Sequence, residues 1–171
     1  MPFNDLREFI TFLESAGELI RTQKAVDVKY EISAYIRKTS DVQGPALLFD
    51  NVKGFDMPVL GGVFSTRKRA FLALETSNKD YVNKFQHALD HLLAPKLVAH
   101  APCKEVVCKG KDVDLNKLPV PIFSEKDPAP FITLGLCISR DLKTGGKNTS
   151  IYRLQLKGRN GLGIMAQHLV R

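Results

Sequence analysis

Apolar positions follow two regimes along this chain. Up to about residue 94, segments with helical spacing alternate with short apolar runs, and beyond residue 100 a period-two alternation takes over. Leu6, Phe9, Ile10 and Leu13 recur at helical spacing behind Asp5, with Glu8 placed to complete a capping box and Gly17 to end the helix. "ELIRT" reads as a strand. "DVKYEISAYIRKT" reads as a second helix behind Asp27, with Ile32, Tyr35 and Ile36 on one face. "PALLF" and "PVLGGVF" read as buried strands behind turn residues. Ser65 or Thr66 starts a third helix through Leu74, and "DYVNKFQHALDHLL" a fourth that buries Val82, Phe85, Leu89 and Leu92. Helices alternating with strands predict an α/β domain over residues 1–100.

The prolines of "APKLVAHAP" interrupt this pattern, and a second unit is expected over residues 101–171. "CKEVVCKG" is a strand candidate, and "DVDLNKLPVPIFSEKDPAP" an irregular loop of a length usually reserved for functional segments. "FITLGLCISRD", "TSIYRLQLKG" and "LGIMAQHLVR" then alternate as strands. The glycine-rich turns between them predict an antiparallel meander.

The dipeptide Asn160-Gly161 favours a two-residue hairpin turn. With Arg159 opposite Leu162, Arg153 faces His168, Ile151 faces Val170 and Gln155 faces Ala166. Thr149, Ile151, Arg153 and Gln155 then share a face with Ala166 and His168, a polar pocket floor. Tyr152, Leu154, Leu156, Met165 and Leu169 form the greasy opposite face. Asn148 has the other parity, so meeting His168 at a metal would take a bulge or another register. An Asn carbonyl and a His nitrogen begin a divalent-metal site but do not complete one. A structural His168 and an ordinary exposed Arg153 stand beside that reading.

Composition narrows the field. A 44% hydrophobic fraction in 171 residues can bury a core, and no apolar run reaches membrane-spanning length. The opening "MPFNDLREF" lacks signal-peptide layout, so a cytoplasmic protein is expected. Net charge is +7, but the basic residues are dispersed. The densest cluster, "RKR" at 67–69, is short, and no nucleic-acid motif accompanies it, so no nucleic-acid partner is expected. Cys103, Cys108 and Cys137 read as buried reduced thiols. His87 and His91 stand i and i+4 on a helix without the Glu of a metalloprotease motif, and His100 carries no signal.

Several separated blocks together resemble the UbiD family of prenylated-flavin-dependent decarboxylases (3-octaprenyl-4-hydroxybenzoate carboxy-lyase-like). "FNDLREFITFLESAGELIR", "VDVKYEISAYIRKT" and "GPALLFDNVKGFDMPVL" resemble its amino-terminal domain. "DVDLNKLPVPIFSEKDPAPFITLGLCISRD" resembles the approach to its flavin domain, and "NTSIYRLQ" its signature strand. The resemblance implies an α/β amino-terminal domain over 1–100, then part of an antiparallel split β-barrel over 101–171 that binds prenylated FMN. It implies Asn148 and His168 as ligands of Mn²⁺ or Mg²⁺, with K⁺ as a further ion. Ser150, Ile151 and Gln167 would line the cofactor, and Arg153 would sit beside the substrate carboxylate.

The same resemblance places a third metal ligand and two catalytic glutamates beyond the His168 block. Glu105 and Glu125 do not replace them, being in unrelated contexts. The expectation is therefore the amino-terminal portion of a decarboxylase or reversible carboxylase for a small aromatic or α,β-unsaturated acid. The full-length enzyme would be a homo-oligomer, and this chain alone would lack turnover. A second reading is a non-catalytic binding or assembly module docking on a longer partner, since the half-built barrel would present an open strand edge.

Overall fold

The computed structural model describes residues 3–165. They divide into two compact units that interleave along the sequence: Met1–Thr22, Ile36–Leu48 and Leu60–Gly110 form one, and Gln23–Tyr35, Phe49–Val59 and Lys111–Arg171 the other.

The first unit begins with α1 (Leu6–Ser15), capped by Asp5, whose side chain accepts from Glu8 N–H at 2.9 Å. Glu8 reaches back to the Asn4 N–H at 2.8 Å. Gly17 takes the left-handed conformation the helix end requires (φ 69°). Strands β1 (Leu19–Thr22), β2 (Ala46–Phe49) and β3 (Val59–Gly61) form a sheet in that order. Phe9 and Leu13 of α1 pack with Leu19, Ala46 and Leu48 as its core. Each such large side chain contributes about 1.5–3 kcal/mol on burial.

Helix α2 (Glu31–Asp41) starts later than the sequence pattern predicts. Asp27 spends its side chain on the Lys29 N–H (2.8 Å), and its own N–H donates to Glu31 (2.9 Å). Tyr30 has φ 67°, outside helical space, so residues 27–30 form a turn and the helix follows.

Thr66 caps α3 (Arg67–Leu74). Arg69 of the "RKR" cluster is fully buried, donating to Val63 O (2.9 Å), Gly62 O (3.1 Å), Ser65 Oγ (2.5 Å) and Glu18 Oε2 (3.1 Å). Part of the basic cluster is thus internal structure, which leaves less charge for an external anion. Helix α4 (Tyr81–Asp90) forms as predicted, but its apolar face is not buried: Val82, Phe85, Leu89 and Leu92 are all exposed. The periodicity shapes the helix, but beyond the ring contact of Tyr81 with Phe71 the described residues leave this face largely exposed. "CKEVVCKG" forms no strand. Its neighbourhood holds short 3-10 turns at Pro102–Lys104 and Gly110–Asp112, without a sheet edge to pair with.

In the second unit, β4 (Phe131–Arg140), β5 (Lys147–Leu156) and β6 (Leu162–Ile164) form the expected antiparallel meander. The long loop before β4 is tied at both ends. Ile122 N–H donates to Val28 O at 3.0 Å and Ile122 O accepts from Tyr30 N–H at 3.1 Å. Phe131 N–H donates to Pro121 O at 3.3 Å, and Leu156 N–H to Pro130 O at 3.0 Å. Ser33 Oγ adds a bond to Phe123 O at 3.2 Å. The segment around Asp127 is thereby held against the start of the sheet.

The β5–β6 turn differs from the sequence expectation. Gln155 pairs with Gly163 and Leu156 with Leu162, a shift of three residues from the register that opposes Gln155 to Ala166. Residues 157–161 make the connection, closed by Lys157 N–H to Gly161 O at 2.8 Å. The left-handed glycine is Gly158 (φ 74°), whereas neither Asn160 nor Gly161 has the positive φ of a two-residue turn. Arg159 explains the choice. Its carbonyl accepts from Leu115 N–H at 2.7 Å and its guanidinium lies 3.4 Å from Asp114, interactions that hold it off the ladder.

Candidate active site

Strand β5 carries Asn148, Ser150, Ile151 and Arg153 of the predicted residues, and its two faces differ as the alternation requires. On one face Leu156 is buried and Tyr152 and Leu154 are half-buried, the greasy side of the sheet. Met165 departs from that assignment, being exposed. The other face carries Thr149, Ile151, Arg153 and Gln155.

Arg153 sits at an irregularity. Ile132 pairs with Leu154 and Gly135 with Tyr152, so Thr133 and Leu134 of β4 together oppose the single Arg153. Such a bulge bends the strand and re-aims the side chain there. The Arg153 guanidinium lies over the Phe131 ring, 4.0 Å from its centroid. Its Nη2 donates to both oxygens of Asp127, at 3.2 and 3.3 Å. Asp127 is itself fixed in a turn: its carboxylate accepts from Ser124 N–H (3.2 Å) and its N–H donates to Ser124 O (3.0 Å). Nε and Nη1 of Arg153 make no hydrogen bond with the described residues, and the side chain is 51% exposed. Both two-donor edges of a guanidinium, Nε with Nη2 and Nη1 with Nη2, include Nη2, so a planar anion is held bidentately by one of these free nitrogens together with the second N–H of Nη2.

Asn148 lies on the face opposite Arg153, as its parity predicts, and shares that face with Ser150. Its Nδ2 donates to Ser150 Oγ at 2.8 Å, and Oδ1 makes no hydrogen bond with the described residues. An amide oxygen held in this way suits a hard cation. Ile151 is exposed beside Leu136 and Ile138. Gln167 and His168 lie outside the described residues, as do Ala166, Leu169 and Val170. The expected pairing of Arg153 with His168 therefore lies outside the described residues as well.

Other candidates are set aside by their surroundings. His87 and His91 stack at 4.1 Å between ring centroids on the exposed α4, with His91 Nδ1 2.9 Å from His87 O. Among the described residues no three His, Cys, Asp or Glu side chains converge. The three cysteines are free thiols, but Cys103 and Cys108 are exposed rather than buried, because their segment never joins a sheet. No described helix is long and apolar enough to cross a membrane.

Sequence reasoning passed over two members of this site. Gly135, an isolated glycine inside an apolar strand, is a recognised bulge signal. Asp127 had no such mark, since its partner lies across a loop, and only the Asp-Pro turn chemistry near the strand start hints at a fixed carboxylate.

Comparison with known proteins agrees with this architecture. The family model for the 3-octaprenyl-4-hydroxybenzoate carboxy-lyase N-terminal domain matches residues 10–89, and that for the Rift-related domain of the same enzyme matches residues 96–171. An evolved dimeric form of the UbiD-class enzyme HmfF from Pelotomaculum thermopropionicum, in complex with prFMN, is 34% identical with a TM-score of 0.90 over 96% of this chain. The vanillic acid decarboxylase of Sedimentibacter hydroxybenzoicus is 30% identical over 96% of this chain, with a TM-score of 0.86. A 3,4-dihydroxybenzoic acid decarboxylase from Enterobacter cloacae is 30% identical over 98%, also with a TM-score of 0.86. The chain spans 39%, 38% and 37% of these three proteins respectively. Both family models in sequence order, and these likenesses over nearly all its residues, show that the chain belongs to the UbiD family of carboxy-lyases.

Proposed function

We propose that this chain contributes the carboxylate-binding arginine and part of the cofactor site of a prenylated-FMN-dependent, non-oxidative decarboxylase or reversible carboxylase. Its substrate is a small aromatic or α,β-unsaturated carboxylic acid. The observation that carries this reading is Arg153, seated over Phe131 with Nη2 on Asp127 and the Nε and Nη1 donors of its fork without a hydrogen bond among the described residues. A carboxylate docked on that fork is held in plane, with the carbon that loses CO₂ fixed beside it. When bound, the prenylated flavin supplies the electron sink at that carbon.

Residues 1–100 act as an α/β amino-terminal domain and residues 101–171 as the start of a flavin-binding split β-barrel, a division supported by the family matches meeting between 89 and 96. Ser150, Ile151 and Gln167 line the cofactor. Asn148 and His168 hold Mn²⁺ or Mg²⁺, with K⁺ as a further ion. The free Oδ1 of Asn148 supports its share of that role. The enzyme works as a cytoplasmic homo-oligomer without a nucleic-acid partner.

We expect no turnover from these 171 residues by themselves, since among the described residues the only carboxylate beside Arg153 is Asp127, and its salt bridge leaves no unengaged acid there to deliver a proton. The test is CO₂ release with prenylated FMN, Mn²⁺ and a panel of aryl and acrylic acids. Robust release by the chain alone would overturn the inactivity. Failure of Arg153→Ala to weaken acid binding would overturn the role of the arginine.

A second reading, an assembly module that docks on a longer partner, is favoured by one specific observation. Leu134, Leu136, Ile138 and Ile151 are 60–74% exposed on the β4–β5 pair. Size exclusion with and without a longer family member discriminates. A stable monomer that ignores the partner counts against docking.

A further inference from the structure

We propose that Asp127 is a positioning residue for Arg153, holding one guanidinium nitrogen so that the remaining edge is presented to the substrate carboxylate. The inference rests on the carboxylate-binding reading of Arg153.

Three contacts converge on this side chain. The bulge at Thr133 and Leu134 sets where Arg153 leaves the strand. The Phe131 ring, on the same face, supports the guanidinium plane at 4.0 Å. Asp127 then fixes rotation about that support.

The pairing is one nitrogen against two oxygens, Nη2 at 3.2 and 3.3 Å, rather than fork against fork. A fork-to-fork pair would also commit Nε or Nη1, whereas the single-nitrogen contact leaves both, and the second N–H of Nη2, to complete an edge for a substrate. Asp127 is well suited to anchoring because it does not itself wander. Its side chain is only 15% exposed, and the Ser124 turn holds both its carboxylate and its N–H. The loop that carries it is tied at Ile122 and Pro130. A long arginine on a bare strand would lose rotamer freedom on meeting an anion, and a pre-set one loses less.

An opposing effect has the same origin. A second carboxylate arriving at the guanidinium meets the charge of Asp127, and if Asp127 merely occupied the substrate's place, its removal would tighten binding. The two effects predict opposite signs, which makes the test decisive.

The experiment follows the Arg153 Nε–H resonance of the isotope-labelled 171-residue protein, assigned through Arg153→Lys, and titrates benzoate. Asp127→Ala and Asp127→Ser both remove the anchor, and the serine keeps a hydroxyl for the Ser124 turn if alanine fails to fold. Asp127→Asn keeps an acceptor for Nη2. Positioning predicts that the Nε–H signal broadens or exchanges out in the Ala and Ser variants and is restored in Asn. The benzoate Kd should rise about tenfold and recover most of the way in Asn. An unchanged Nε–H signal, or tighter benzoate binding without Asp127, overturns the proposal. If benzoate leaves the wild-type resonance unmoved, the carboxylate-binding role of Arg153 fails, and with it the presentation to substrate. The anchoring of Arg153 by Asp127 is still decided separately by the variant spectra.

Discussion

Ser150 Oγ accepts a 2.8 Å hydrogen bond from Nδ2 of Asn148, two residues back on the same face of β5. The bond engages the nitrogen of the amide, so Oδ1 keeps both lone pairs and is turned away from Ser150. This is how a neutral oxygen ligand is oriented before a cation arrives, and partners of this kind matter nearly as much as ligands themselves.

Mn²⁺ titration of the protein, read by the loss of free-ion EPR signal, therefore has a defined pattern. Asn148→Ala should lower affinity more than tenfold, and Ser150→Ala by about tenfold, because the amide is released to rotate. Asn148→Asp, which adds charge, should restore binding. Equal affinity in wild type and Asn148→Ala would remove Asn148 from the metal site.

Gly135 should tolerate no side chain. A Cβ there would stand 2.7 Å from Leu154 Cδ1, 3.0 Å from Leu154 Cγ and 3.1 Å from the carbonyl of Tyr152. The leucine tip can shift but the carbonyl belongs to the ladder, so Gly135→Ala should cost about 1–3 kcal/mol in urea unfolding. The disturbance lies one residue from the bulge, so the variant should also loosen Arg153. Gly146→Ala, in the exposed β4–β5 turn with only Thr144 Oγ1 at 3.3 Å, serves as the near-neutral control.

Legibility in the sequence followed the range of the interactions. The capped helix behind Asp5 and the helix behind Thr66 rest on contacts a few residues apart, and the three-strand meander on alternation within each strand and turn residues between neighbours; each formed where its pattern stands. The parity that separates Asn148 from Arg153 was legible for the same reason. The turn after β5 was not, because Asp114 and the Leu115 N–H, some forty-five residues upstream, capture Arg159 and move the register. Asp127 was hidden likewise, since its partner lies 26 residues on. The apolar stripe of α4 specifies a helix but not its burial, because periodicity defines a face without defining what covers it.

The exposed apolar positions of the β4–β5 pair give a prediction about surface chemistry. Leu136 and Ile138 are 68% and 74% exposed, so Leu136→Lys and Ile138→Thr should change the stability of the protein by no more than about 0.5 kcal/mol. Self-association at high concentration, measured by sedimentation, should fall in the double variant. If instead stability drops sharply, those side chains are covered in solution, and the docking reading gains a bound occupant.

The dependence of stability on pH should be governed by depressed carboxylates. Glu18 is held below the ordinary glutamate range first by its hydrogen bond to Lys68, against the opposing effect of burial, with Arg69 adding to the lowering. Arg21 lowers Glu14, Asn4 lowers Glu8, and the N–H groups of Thr144 and Lys143 lower Asp141. A folded-state pKa below the unfolded one gives stability that is fully present above the unfolded value, about 4.3 for Glu and 3.9 for Asp. That stability is lost as pH falls through the depressed folded values. Urea midpoints should accordingly stay level with respect to these groups from pH 7 to about 5 and decline below about 4.3. Glu18→Gln should flatten part of that decline. At pH 7, Glu18→Ala should cost about 3 kcal/mol, because it strips the fully buried Arg69 of its counter-charge and leaves the guanidinium on the carbonyls of Val63 and Gly62 and the hydroxyl of Ser65. A level midpoint down to pH 3, or a neutral Glu18→Ala, would mean that the Arg69 cluster does not hold the first unit together.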